Sequence, residues 1–436
     1  MPQKTLQIRG LGVPIRARVR VGDASEHSQP ALSKKTYNNS QHETLFYRVY
    51  DFPLYFLDLC AGIILKKAKE YKNCLRGIIN MISNILVLLL VFLSTLFALL
   101  FIHKERKSFA KRAARHVIAK QAVHTVPTPR VGGIAIAVGV LSGALLSGDD
   151  LFGTLLWTTL PIFVIGLLED LGPDTPPSLR LGVSALSAIL AILVLNMHIT
   201  RVDLPGVDSL ISITLIGMAF TIFASTGMTH AINLIDGLNG LSSAVVIAIM
   251  ISFGMVAHRY GHADLVVMNA VVCIAFIGFM CVNFPNGRVF LGDAGAYSIG
   301  HIIAWNAIIL LNREPNISAW GILLVLLWPV VDTLFAMVRR MVTRLPVSRP
   351  DKLHYHHLLM RLVLLMTHKT IGKKEANPIG SLLSWPLIAV PCIVGYHLID
   401  NTRWALTASV AFTLAYVITY HLLIHNALKL RKSLKA

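Results

Sequence analysis

Long apolar runs alternate with short polar stretches over most of the chain. The run at 78–102 is uninterrupted and long enough to cross about 30 Å of hydrocarbon as a helix. Similar runs recur as far as residue 425. We predict eleven spanning helices, at 78–102, 132–148, 151–168, 180–197, 209–229, 241–257, 264–282, 294–311, 318–338, 380–399 and 404–425. The predicted fold is therefore an all-α polytopic membrane protein.

The composition of the 436 residues agrees with this prediction. The chain is 55% hydrophobic and only 14% charged, whereas soluble domains carry about 25% charged residues. The net charge of +18 would by itself suggest a nucleic-acid-binding protein. The Lys and Arg residues, however, cluster in a few loops, as the positive-inside rule describes. We therefore expect a lipid bilayer and no nucleic acid as the partner.

The loops that follow the odd-numbered spans hold most of the Lys and Arg residues, which predicts that these loops are cytoplasmic. Five polar motifs lie in the same loops, so we expect catalytic loops on the cytoplasmic face. We divide the chain into an N-terminal extension at 1–77, a transmembrane domain at 78–425 and a basic cytoplasmic tail at 426–436. The extension is rich in basic residues that this orientation would leave outside, a conflict that a start near Met81 would remove. The five cysteines show no spacing typical of a disulfide framework or a zinc knuckle.

The first motif is PTPRVGG at 127–133. Its prolines oppose helix formation, while Gly132 and Gly133 would let the backbone approach a ligand closely. The alternative is a simple turn at the start of a helix.

The second motif is the acidic pair Glu169 and Asp170 at the inner end of the third predicted span. Adjacent acids at a membrane boundary are costly unless they are solvated, paired or bound to a metal. The pair is suited to bind Mg²⁺ or to accept a proton, with an interfacial anchor as the alternative. Arg180, a short distance downstream, would face phosphate groups or pair with these acids.

The third and fourth motifs are NLIDGLNGL at 233–241 and NFPNGRVFLGDAG at 283–295. The third presents Asn233 and Asp236 between two predicted helices, and an ordinary capping turn is the alternative. It lacks the pattern of an EF-hand loop. In the fourth, Asp293 stands between glycines near a predicted helix N-terminus. Such a site would bind a metal shared with phosphate oxygens, and the helix end would offer N–H groups to anions.

The fifth motif is RPDKLHYHH at 349–357, which contains His354, His356 and His357. Three close histidines would also suit zinc, but no cysteines accompany them and no HExxH sequence is present. Histidine with Arg and Lys beside an acid fits diphosphate binding better.

The five motifs, in this order, resemble those of the polyprenyl-phosphate N-acetylhexosamine-1-phosphate transferase family over roughly residues 78–425. The His-x-His-His form is similar to the branch that uses GlcNAc. The resemblance implies a UDP-N-acetylhexosamine donor, with GlcNAc favoured, a polyprenyl phosphate acceptor such as undecaprenyl phosphate, and UMP as the by-product. It also implies Mg²⁺ as the cofactor, with Mn²⁺ as an alternative, and a bacterial inner membrane with a cytoplasmic active site.

The resemblance extends to individual residues. Those that it marks as catalytic are Glu169, Asp170, Asp236 and Asp293. Of these, Asp293 and Asp170 are expected to bind the metal. Substrate binding is expected of Arg180, from its place beside the acids, and of Asn233, Asn283, His354, His356 and His357. Three positions depart from the usual family pattern, namely Glu169 for aspartate, Asn239 for an aspartate found in some members, and Ala296 for a common serine.

Two questions stay open at this point. Transfer in a single displacement and a double displacement through an acyl-phosphate both agree with the motifs. A transporter or flippase of lipid-linked sugars is the alternative function. Such a protein should place ionisable groups or broken helices near the bilayer midplane. Here these groups gather at one face, and His301 is the main mid-helix exception.

Overall fold

The computed structural model describes residues 66, 67, 69, 82–105, 128–172, 175–344, 351, 353–368 and 370–433. The chain divides into two units, Met1–Gly77 and Ile78–Ala436. The predicted N-terminal extension lies almost entirely outside the described residues, as do positions 127, 349, 350 and 352 of the motifs. The second unit, Ile78–Ala436, contains the helices that are candidates for crossing a membrane.

The described residues of this unit form helices, with turns and loops beside them, and include no strand. Each of the eleven predicted spans overlaps at least one of the described helices. The helices are α1 Ile82–Lys104, α2 Gly132–Ser147, α3 Asp150–Leu171, α4 Pro177–Leu195, α5 Val207–Ile211, α6 Thr214–Ile235, α7 Leu241–Arg259, α8 Ala263–Asn283, α9 Gly292–Arg313, α10 Ala319–Val325, α11 Leu327–Val342, α12 Tyr355–Met366, α13 Lys373–His397 and α14 Thr402–Ser433.

Within the described ranges, nine helices are long and apolar enough to cross a membrane, or ten if α10 and α11 form one span. The predicted all-α membrane fold is thus confirmed, whereas the count of about eleven is not. Helix α2 has 16 residues, fewer than the roughly 20 that a span needs. The predicted span at 318–338 is broken, because α10 and α11 are bent by 83°.

The break between α10 and α11 has a local cause in the sequence. Pro329 has no N–H, so it cannot donate to the carbonyl of Val325, four residues earlier. The thiol of Cys392, on α13, donates a hydrogen bond to that carbonyl over 3.3 Å. In hydrocarbon a freed carbonyl must find a new partner within the protein. The neighbouring helix therefore stabilises the bend.

Helix α9 forms the centre of the bundle and packs most extensively against α3 and α6. In its most apolar stretch 94% of the residues are buried, against 17% in α14. Small residues allow this close packing, since a Cβ atom at Gly300 would lie 2.6 Å from the Cα of Thr229. Inside the bundle, Asn306 of α9 donates a hydrogen bond to the side chain of Asn269 over 2.6 Å. Because α9 is packed on nearly all sides by other helices, the position of its N-terminus is fixed by that packing.

The two ends of α9 differ in chemistry. Its 22 residues separate them by about 30 Å. Ion pairs of 2.6 Å lie near the C-terminal end of α9, between Arg313 and Asp264 and between Arg201 and Asp203. Each of these arginines is balanced by an acid. The N-terminal end of α9, in contrast, carries the motifs.

Candidate active site

The first and fourth motifs are joined through their backbones. Three hydrogen bonds of 2.7 to 2.9 Å connect residues 129–133 with residues 290–291. Helix α2 begins at Gly132, and a Cβ atom at Gly133 would lie 2.4 Å from the backbone nitrogen of Gly295. In this structure Gly132 is therefore the first residue of a helix, and Gly133 allows two backbones to approach closely. The expected approach to a ligand stays a prediction.

Asp170 caps the N-terminus of α9 from the end of α3. Its two carboxylate oxygens accept hydrogen bonds from the backbone N–H groups of Asp293 and Ala294, each over 2.9 Å. These N–H groups have no partner within their own helix, and the helix dipole favours a negative charge there. Gly292 makes this approach feasible, with a φ of +78° and no room for a Cβ atom. The predicted metal ligation by Asp170 thus competes with a capping role.

Asp293 is the centre of the site. One carboxylate oxygen accepts from Arg130 over 3.2 Å and from the amide of Asn233 over 3.1 Å. The other accepts from Arg180 and from the hydroxyl of Tyr297, each over 3.4 Å. The side chain is buried. Residues from four different helices or loops therefore meet at one carboxylate.

Glu169 and Asp170 point to different partners, as expected for adjacent residues on a helix. Glu169 lies 3.6 Å from Arg180 through one oxygen. Its other oxygen accepts from the backbone N–H and the hydroxyl of Thr175. Glu169 thus helps to position Arg180 beside Asp293.

Asp236 follows the last residue of α6 and accepts a hydrogen bond from the hydroxyl of Ser242 over 2.8 Å. Burial raises the pKa of its carboxyl to about 6, against the opposing effects of Ser242 and of the charge on Arg130. Burial lowers the pKa of the Arg130 guanidinium, but nearby carboxylates outweigh that effect and raise it. Asp236 is therefore a group that can exchange a proton near neutral pH.

The carboxyl groups of the site outnumber its arginines. Arg130 lies within electrostatic reach of four carboxyl groups, and Arg180 is the second cation among them. Four negative groups against two positive ones leave a charge of about −2 when all are ionised. The residues counted are Glu169, Asp170, Asp236 and Asp293 against Arg130 and Arg180.

Two asparagine side chains connect the loops at 233–241 and 283–293. Asn283 accepts from the backbone N–H of Gly240 over 2.6 Å and donates to the carbonyl of Val289 over 2.8 Å. Asn239 donates to the carbonyl of Pro285 over 2.7 Å. Both amides therefore brace the loops. Nucleotide binding by Asn283 stays a prediction.

The histidines of the fifth motif pack against the loop that follows α6. His354 interacts through Nδ1 with the carboxylate of Asp332 over 2.7 Å. The ring of His356 stacks on that of His354 at 5.6 Å and lies 4.3 Å from that of His357. A Cβ atom at Gly237 would lie 2.6 Å from Nε2 of His356. The histidines therefore adjoin the turn that carries Asp236.

Sequence reasoning did not single out several residues of the site. Arg130 lies inside the first motif, in which the prolines and glycines are the residues that suggest a function. Tyr297 stands four residues after Asp293, and this spacing places both on one face of a helix. Asp332 is a lone acid in an apolar stretch, which is by itself a signal of function in a membrane protein.

Together these features define a polytopic membrane protein whose carboxylates, arginines and histidines converge at the end of the bundle where its central helix begins. Residues 152–311 match the sequence model of glycosyl transferase family 4. The chain is 30% identical over 245 residues to a probable undecaprenyl-phosphate N-acetylglucosaminyl 1-phosphate transferase of Bacillus subtilis. The match covers 55% of this chain and 67% of the relative. It therefore belongs to glycosyl transferase family 4, and the family resemblance predicted from the motifs is confirmed.

Two further relatives extend the comparison. One is the undecaprenyl-phosphate alpha-N-acetylglucosaminyl 1-phosphate transferase of Haemophilus influenzae, with 29% identity over an alignment of 256 residues. The match covers 55% of this chain and 69% of that one. The other is the decaprenyl-phosphate N-acetylglucosaminephosphotransferase of Mycolicibacterium smegmatis, with 27% identity over an alignment of 331 residues. The match covers 68% of this chain and 79% of that one.

Proposed function

We propose that the protein transfers N-acetylhexosamine 1-phosphate, with GlcNAc as the favoured sugar, from a UDP-sugar to a polyprenyl phosphate, and releases UMP. The relatives are named as transferases of this kind. Their names favour an enzyme over a transporter of lipid-linked sugars. The single observation that carries the proposal is the cluster of Arg130, Arg180 and Asn233 around Asp293.

The chemistry of the reaction explains why such a cluster is suitable. An oxygen of the acceptor phosphate attacks the phosphorus that bears the sugar, and the bond from that phosphorus to the oxygen bridging it to UMP breaks. UMP leaves with the electron pair of that bond. Both substrates are polyanions, so cationic donors are needed to offset the repulsion between them. Arg130 and Arg180 lie where they can bind phosphate oxygens.

The acceptor phosphate has a second pKa near 6 and is largely ionised at neutral pH. A base therefore has only a residual proton to remove. The Asp236 carboxyl, with a pKa of about 6, is matched to this task. Asp170 holds the end of α9, and Glu169 positions Arg180. We assign direct contact with substrate to Arg130, Arg180 and the histidines.

The carboxylate excess of the site fits a divalent cation. Among the residues that the structure describes, no three His, Cys, Asp or Glu side chains form a ready metal site. Mg²⁺ is commonly held by one or two carboxylates together with substrate phosphates, so Asp293 would supply a protein oxygen, with Asp236 and Asp170 nearby. When bound, the cation would neutralise charge on the diphosphate. Mn²⁺ is expected to substitute for it.

The distribution of Lys and Arg supports an orientation with the site at the cytoplasmic face. The bacterial sources of the relatives favour a bacterial inner membrane. A cytoplasmic site would also give access to a soluble nucleotide sugar. The polyprenyl tail would then remain in the bilayer between helices, with its phosphate at the boundary.

The direct test is release of UMP by the purified protein. We expect release only when a UDP-N-acetylhexosamine, undecaprenyl phosphate and Mg²⁺ are all present, and a panel of UDP-sugars would identify the sugar. Removal of Mg²⁺ with a chelator should stop turnover, and its return should restore it. Absence of UMP with every UDP-N-acetylhexosamine would refute the proposal.

A further inference from the structure

Asp332 is an acid buried among apolar residues of α11, with 1% of its surface exposed. One carboxylate oxygen accepts from the hydroxyl of Tyr416 over 2.6 Å and from the backbone N–H of Tyr355 over 3.2 Å. The other oxygen contacts Nδ1 of His354 over 2.7 Å. The carboxylate of Asp332 therefore connects α11 to α14 and to the start of α12, and it also contacts His354, the residue that precedes α12.

Stability alone is a weak explanation for this arrangement. Removing a carboxylate from water is costly, and a buried ion pair seldom stabilises a protein more than apolar side chains of similar size. The rings of Trp328, Tyr355 and Tyr416 pack against one another beside this position, so an apolar side chain would find apolar neighbours there. A role in the chemistry of His354 accounts better for the buried acid.

The contact with Asp332 determines what His354 can offer. Because Nδ1 donates to the carboxylate, Nε2 is the nitrogen left to bind a substrate. Burial lowers the pKa of His354, but the hydrogen bond to Asp332 and its charge outweigh that effect and raise it. The other groups that bear on His354 are Asp351 and Arg339, together with His356, which stacks on its ring, and the neighbouring His357.

We propose that Asp332 is a positioning residue for the transfer, which holds His354 as an imidazolium so that its Nε2–H can donate to a phosphate oxygen. The inference rests on the proposed function. The phosphate belongs either to the UDP-sugar or to the acceptor lipid. His354 reaches the rest of the site through His356, whose ring adjoins the turn that carries Asp236.

The test is the Asp332→Asn variant, which keeps the size of the side chain and removes its charge. The imidazolium is needed at low and high pH alike, but without the carboxylate it should deprotonate earlier as the pH rises. We expect kcat to fall about 10- to 100-fold at pH 8, with a smaller loss at pH 6. The alkaline limb of the pH profile should move to lower pH. A merely structural role would lower activity by the same factor at every pH.

The matched control is Asp400→Asn, which removes an exposed acid paired with Arg259 at 2.6 Å. Asp400 lies between α13 and α14, away from the motifs, so its replacement should leave the pH profile unchanged. KM values measured separately for the UDP-sugar and for undecaprenyl phosphate would distinguish the two sources of phosphate. The substrate whose KM rises in Asp332→Asn is the one that His354 binds.

Two further measurements make every outcome decisive. If Asp332→Asn does not fold, Tyr416→Phe removes one hydrogen-bond donor from the carboxylate and leaves more of its negative charge to His354, so the alkaline limb should move to higher pH. No shift in the variant that folds would overturn the inference. An inactive wild type would refute the proposed function instead. In that case an NMR titration of isotope-labelled histidine would still decide, because an unchanged titration of His354 in the variant contradicts the role of Asp332.

Discussion

The backbone N–H groups of Asp293 and Ala294 both donate to the carboxylate of Asp170 over 2.9 Å. In Asp170→Asn, one of these oxygens becomes an NH₂ group that cannot accept, so one buried N–H loses its partner. Such a loss costs about 1–3 kcal/mol. The lost charge at the helix N-terminus adds roughly 0.3–1 kcal/mol. We therefore expect Asp170→Asn to lower both the stability of the fold and the activity.

Glu169→Gln provides the comparison within the same acidic pair. The glutamine can still accept from Thr175, and what it loses is the interaction with Arg180 at 3.6 Å. At 3.6 Å this contact is too long for a hydrogen bond, so the substitution breaks none between the two side chains. The loss of stability should therefore be clearly smaller than in Asp170→Asn. Activity should fall less as well, because Arg180 retains its contact with Asp293.

The assay is thermal unfolding of both purified variants in the same detergent, followed by UMP release at saturating Mg²⁺ and substrates. The two readouts distinguish the roles of Asp170. If Asp170→Asn unfolds at the wild-type temperature and loses only activity, Asp170 acts as a metal ligand and the capping argument is wrong. If Glu169→Gln is inactive while Asp170→Asn is active, Glu169 becomes the better candidate for the base.

Three further predictions concern other parts of the site. Asp293→Asn should lower turnover about 10²–10³-fold without loss of folded protein, measured as UMP release, and near-normal Mg²⁺-dependent activity would contradict its central role. Gly292→Ala should fold poorly, because its Cβ atom would lie 2.0 Å from the carbonyl of Arg130 and its φ is +78°. The control is Gly153→Ala, which has open space around it and should express and unfold like the wild type. Exhaustive chelation of zinc followed by addition of Mg²⁺ should leave full activity if the histidines bind phosphate, and a lasting loss that only zinc repairs would instead show a zinc site.

Much of the fold could be predicted from the chain itself. A span must satisfy its backbone hydrogen bonds internally and present about 20 apolar residues, so apolar runs mark helices without reference to their neighbours. The order of five polar motifs was enough to indicate the family. These features are local, and each can be recognised without knowing how the helices pack.

Other features were decided by packing. Whether 318–338 forms one straight helix depends on Pro329 and on a thiol from α13 that satisfies the freed carbonyl of Val325. The acidic pair suggested a metal site, yet only the position of α9 directs both oxygens of Asp170 to a helix end.

Packing also decided which residues meet in the site. Arg130 is 163 residues from Asp293 in the chain, and Asp332 is 22 residues from His354. No periodicity links such positions, because their contacts depend on how whole helices pack. The sequence alone thus determined which segments are helical and which loops carry chemistry. The tertiary structure decided which side chain each acid contacts. The central helix is buried and its glycines are in close contact with neighbouring backbones, so the positions of the contacting side chains are fixed by packing.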